Sequence, residues 1–60
     1  MTQEDRTKML RDISAKLKKT SAFVQAITEE VPRRENVVTI ETMLDQVKAD
    51  AIKLRQSFTQ

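Results

Sequence analysis

The sequence predicts an all-α fold, an antiparallel two-helix hairpin that pairs into a four-helix bundle homodimer. Three observations carry that expectation. First, apolar residues recur at alternating spacings of three and four in two blocks. One holds Leu10, Ile13, Leu17, Val24, Ile27 and Val31, with Thr20 as a polar rung; the other holds Val37, Ile40, Leu44, Val47, Ala51, Leu54 and Phe58. This is the period of a helix with one apolar seam. Second, the two ladders mirror each other: every rung pair, from Val31/Val37 out to Leu10/Phe58, has residue numbers that add to 67 or 68. A chain folded back at V-P-R-R-E-N, residues 31–36, brings such rungs level. Third, glycine is absent, proline occurs once and a third of the residues are charged, a helical composition with one break.

These signals define one helical-hairpin domain over 1–60, with a helix over about 3–30, a turn over 31–38 and a helix over about 40–57. Thr2 is the expected N-cap of the first helix, and Glu4 and Asp5 suit its first turn. Glu4/Lys8 and Asp12/Lys16 are i,i+4 pairs in the favourable orientation. The helix should end near Glu30 or Val31, because Pro32 has no N–H and disfavours helical geometry at the residue before it. Asn36 could cap the second helix, but Thr39 fits better. Val38 and Met43 then occupy the hydrophobic-staple positions, and Val37 lies outside as a plug over the closed end.

Sixty residues with no cysteine and no histidine have neither disulfides nor the usual zinc ligands to hold them. A lone hairpin buries its seams on one side only, which does not offset the entropy of ordering the chain. Self-association is therefore expected. With the first ladder at heptad positions a and d, position e is Thr7, Ser14, Ser21 and Thr28, and position f adds Ala15 and Ala22. Such small residues suit either solvent or a close helix–helix contact. Met9 and Phe23 at position g widen the apolar face, and Ile52 lies off the second ladder. Ala51 opposite Leu17 leaves a thin layer that a second hairpin could fill, and the Thr20 hydroxyl is expected to bond back to the Lys16 carbonyl.

Charge is polarised along the hairpin. At the open end, nine bases in residues 6–19 and 48–60 outweigh Asp12 and Asp50, giving +7. At the closed end, residues 20–47, Arg33 and Arg34 face five acids, giving −3; Glu4 and Asp5 bring the chain to its net +2. Two such hairpins attract best when antiparallel, the loop of one beside the open end of the other.

Nothing in the sequence supports catalysis or a cofactor. There is no histidine for acid–base work, no glycine for a phosphate loop, and the serines lack a partner base. Glu41 and Asp45 are spaced as two metal-binding carboxylates would be, but oxygen-only sites need more ligands. No run approaches the roughly 18 apolar residues of a membrane span, and no signal-peptide core is visible; a cytoplasmic protein without a membrane partner is expected. The function expected is that of a small non-enzymatic regulator binding another protein, as inhibitor, antirepressor, adaptor or chaperone, of the kind common in phages and mobile elements. Phe23, Met43 and Ile52 are the candidate partner contacts, followed by Arg33 and Arg34 at the exposed turn. The competing expectation is RNA or DNA binding by the basic open end through Lys8, Arg11, Lys16, Lys18 and Lys19. The hairpin resembles, in architecture alone, the plasmid-encoded RNA-binding four-helix dimer Rop; no residue motif accompanies that resemblance, so no site transfers with it.

Overall fold

In the computed structural model, which describes residues 2–59, the chain forms two helices, α1 (Gln3–Ile27) and α2 (Arg34–Gln56), folded back on each other as a hairpin. The expected start of α1 is found. The Thr2 hydroxyl accepts from the Asp5 amide at 3.1 Å, and the Asp5 carboxylate accepts from the Thr2 amide at 3.3 Å, closing a reciprocal capping box. The Thr2 amide first, and the Thr2 hydroxyl beside the carboxylate second, hold the Asp5 carboxyl below its ordinary value of 3.8. Thr20 is also as expected, its hydroxyl donating to the Lys16 carbonyl at 2.8 Å.

The turn is placed differently from expectation. The first helix stops at Ile27, not near Glu30 or Val31, and the Thr28 hydroxyl bonds back to the Gln25 carbonyl at 2.7 Å. No basic residue in its last turn complements the negative end of the dipole, while Glu29 and Glu30 follow immediately; extending the helix would place both acids on that end. The second helix begins at Arg34, with Arg33 as an extended N-cap after Pro32 and no side-chain capping bond. Thr39 is thus helix interior, donating to the Glu35 carbonyl at 2.9 Å, and Val37 belongs to the helix instead of plugging the loop. The physical reason is that Arg33 already offers the extended geometry a helix start needs, and Glu35 supplies the first-turn acid. Starting early also lets Asn36 and Ile40 reach the opposite helix, where both are half-buried.

The larger correction concerns the seam. Position d of α1 faces α2 as expected: Ile13 and Ile27 are half-buried, and Thr20, at 6% exposure, is the one buried side chain among the described residues. Its mirror on α2 is Ile40, Val47 and Leu54, also half-buried. The second contributor is position g, not a. Position g lies about 60° from d on the side away from a; there Met9, Lys16 and Phe23 on α1 and their level mates Ser57, Asp50 and Met43 on the other side are half-buried, and Lys16 pairs with Asp50. Of the a rungs only Val24 is half-buried; Leu10, Leu17, Val31, Val37, Leu44 and Phe58 keep between 46% and 80% of their surface exposed, and Ala51 is exposed with them. Two helices touch along a strip only about two positions wide. Rotation toward g brings Lys16 onto Asp50 and Phe23 beside Met43, at the cost of uncovering a.

No apolar side chain is fully buried among the described residues. The hairpin is a slab of 46 × 16 × 9 Å with a radius of gyration of 14.3 Å, against about 10 Å for a compact chain of this length.

Candidate functional site

Position g on each helix builds the most structured surface of the hairpin. Lys16 and Phe23 come from α1 and Met43 from α2; with Lys19, Thr20 and Thr39 they line an open groove of about 420 Å³, flanked by Gln46. The groove runs over the junction between the helices, with the Phe23 ring and the Met43 thioether as apolar parts and the two lysines at its rim. Aromatic and methionine side chains offer a partner large, adaptable apolar surface.

At one end Lys16 is held by two carboxylates. It pairs with Asp12 on its own helix at 3.2 Å and, across the hairpin, donates a hydrogen bond to Asp50. The bond to Asp50 first, and that to Asp12 second, raise the Lys16 ammonium above its ordinary 10.5. The ion pair is therefore present in full below pH 10.5 and is lost as pH rises through the higher folded value. Far-UV circular dichroism on alkaline titration should show a loss of helix above pH 10.5. Lys16→Met, which retains the aliphatic stem but has no proton to lose, should remove the part of that loss due to this pair.

The other expected contacts disperse. Ile52 is half-buried but lies about 180° around α2 from Met43, so it does not share a surface with Phe23 and Met43. Arg33 and Arg34 are exposed at the turn; Arg34, with Glu35, Val38 and Thr39, edges a shallow depression that adjoins the groove through Thr39. Of the basic set, Lys8, Arg11 and Lys18 lie along the outer edge of α1, Lys19 turns to the groove, and Lys16 is neutralised by its acids. Arg6 is engaged as well. Its guanidinium donates to the Ser57 carbonyl at 2.8 Å and the Ser57 hydroxyl at 3.1 Å, and lies 4.0 Å from the centre of the Phe58 ring. That places a cation on the negative end of α2 and ties the open end shut.

Sequence reasoning missed the Lys16–Asp50 pair and the role of Arg6. A signal for the first existed: Lys16/Asp50, Phe23/Met43 and Met9/Ser57 each add to 66, a third set of level pairs beside the 67 and 68 sets.

Among the described residues there is no group of three or more His, Cys, Asp or Glu side chains placed to hold a metal ion, and no helix long and apolar enough to cross a membrane. The chain matches no protein-family model, no curated protein and no solved structure.

Proposed function

We propose that the protein is a small non-enzymatic regulator that binds another protein, working as a homodimer of helical hairpins, as an inhibitor, antirepressor, adaptor or chaperone does. The observation that carries this is the groove in which Phe23 and Met43 meet between the helices beside Lys19. An apolar trough with a cationic rim suits a partner helix that presents apolar anchors and a carboxylate. The nucleic-acid alternative draws on fewer free bases than the sequence suggests, because Lys16 and Arg6 are engaged within the hairpin.

The test is recovery of partners by the tagged protein from extract of its native cell, with and without nuclease, alongside two variants. Lys19→Glu alters only the groove rim, and Met43→Ala shortens an anchor. A stoichiometric protein partner that survives nuclease and is lost with both variants supports the proposal. RNA or DNA that is recovered from the parent chain and lost at raised salt overturns it, as does a protein partner retained equally by both variants.

A further inference from the structure

The a rungs form a continuous apolar stripe opposite the groove. On α1 it runs Leu10, Leu17 and Val24 and on α2 Ala51, Leu44 and Val37; Val31 extends it into the turn after α1, and Phe58, one ring face of which carries the Arg6 guanidinium, extends it just past α2. Because the g positions of both helices share the groove face, the a positions, about 120° around each helix, share the other. We infer that this stripe is the interface with a second copy of the chain, stacked antiparallel so that α1 lies on the partner's α1 and α2 on the partner's α2. The inference rests on the homodimer proposed above and assigns its face, direction and register.

Area is the first argument. The hairpin exposes 5052 Å² for 6.9 kDa, where a compact monomer of that mass exposes about 4,000 Å². The excess of about 1,000 Å² is what one side of a stable interface covers, about 800 Å² or more per partner.

Side-chain size is the second. In the antiparallel stack the helical rungs pair Leu17 with the partner's Val24 and Ala51 with the partner's Leu44, while at the ends Leu10 comes to the partner's turn near Val31 and Phe58 to the partner's Val37. Every contact pairs a larger side chain with a smaller one, the alternation that fills a core without voids or overlap. Stacked with both loops at one end, α1 would lie on α2: Leu10 would meet Phe58, large on large, and Val31 would meet Val37, small on small.

Charge is the third. Counting Glu4 and Asp5, which the fold places at the open end, that end carries +5 and the closed end −3. The hairpin is 46 Å long, several times the ~8–10 Å screening length, so the two ends act independently. Antiparallel stacking sets +5 beside −3 twice, whereas the parallel stack sets like on like. The flanks agree. Beside the α1–α1 contact lie only the exposed Thr7, Ser14, Ser21 and Thr28, small enough for close approach. Beside the α2–α2 contact, Glu41 falls opposite the partner's Arg55, twice, and only Lys48 meets its own copy.

The register places Ser21 next to its own copy at the twofold axis, with Ser14 near the partner's Thr28. The two Thr7 residues end up about 40 Å apart. The parent chain has no cysteine, so single substitutions report cleanly. Ser21→Cys treated with a short bis-maleimide should become a covalent dimer in high yield, and Thr7→Cys should not. Glu41→Arg and Arg55→Glu should each weaken the dimer several-fold by sedimentation, and the double variant should restore it. A dimer by sedimentation that neither cross-links through Ser21→Cys nor shows that restoration overturns the face and register while leaving the homodimer standing. A folded monomer at high micromolar concentration overturns the homodimer too, and the stripe then belongs to a different chain.

Discussion

Leu44→Asp, and equally Leu17→Asp, abolishes the folded state at low micromolar concentration, although these leucines are 47% and 46% exposed in the single hairpin. On a stripe that stays wet, a carboxylate at either position would change stability by no more than about 0.5 kcal/mol, as surface substitutions do. Inside a bundle the same carboxylate is buried opposite Ala51 or Val24 of the second copy with no partner. The cost is then on the order of several kcal/mol at each of two symmetric sites, comparable to the whole stability of a small domain. Far-UV circular dichroism and sedimentation on the same samples read the result. Loss of helix together with loss of the dimer is expected. A helical variant that melts with the parent chain would show that the stripe is never covered. Val47→Asp is a useful companion, since it places the charge against Thr20 inside the hairpin itself and unfolds the chain whether or not a second copy is bound.

The contrast between Leu44 and Val47 also marks how far the sequence could be read. That two helices fold back at Pro32, that Ile13 is level with Leu54 and Ile27 with Ile40, that Thr2 caps α1 and that Thr20 bonds to Lys16 all follow from local chemistry and from mirrored numbering. None of these depends on how each helix is rotated about its own axis. The rotation itself is a tertiary matter. Strips a/d and d/g both repeat at three and four, so the apolar period alone does not choose between them. Residue type makes a/d the natural expectation, since Lys16 and Asp50 at position g look like surface residues when each helix is considered by itself. Only when they face each other does the pair neutralise itself and admit Phe23 and Met43 to the same side. The start of α2 was hidden for a similar reason. Thr39 fits a local capping rule, but a helix beginning at Arg34 brings Asn36 and Ile40 against α1, and packing outweighs the single capping bond that Thr39 would have made. The candidate site was legible in part: Phe23 and Met43 stand out as apolar residues off the ladder, but Ile52 stands out in the same way and lies on another surface.

If folding requires the second copy, the melting temperature of the parent chain depends on its concentration. For a dimer that unfolds directly to two separate chains, a tenfold increase in concentration adds about 1.4 kcal/mol per dimer to the folded side. Unfolding entropy near the midpoint is about 2.1 cal/mol/K per residue, and the dimer contains two chains of 60 residues. The shift is therefore about 5–6 °C per decade of concentration. Thermal melts over two decades should span about 10 °C, far beyond the error of the method. A hairpin stable by itself would melt at one temperature throughout, since its unfolding involves no change in the number of particles. The slab geometry argues against that outcome: with Thr20 the one buried side chain among the described residues and no apolar residue fully shielded, a single hairpin has little to set against the entropy of ordering its backbone. The same experiment on the Ser21→Cys chain, cross-linked through its twofold axis, should erase the dependence, because the two chains then unfold as one molecule. Its melting temperature should exceed that of the uncross-linked form most at the lowest concentration, where the parent dimer is weakest.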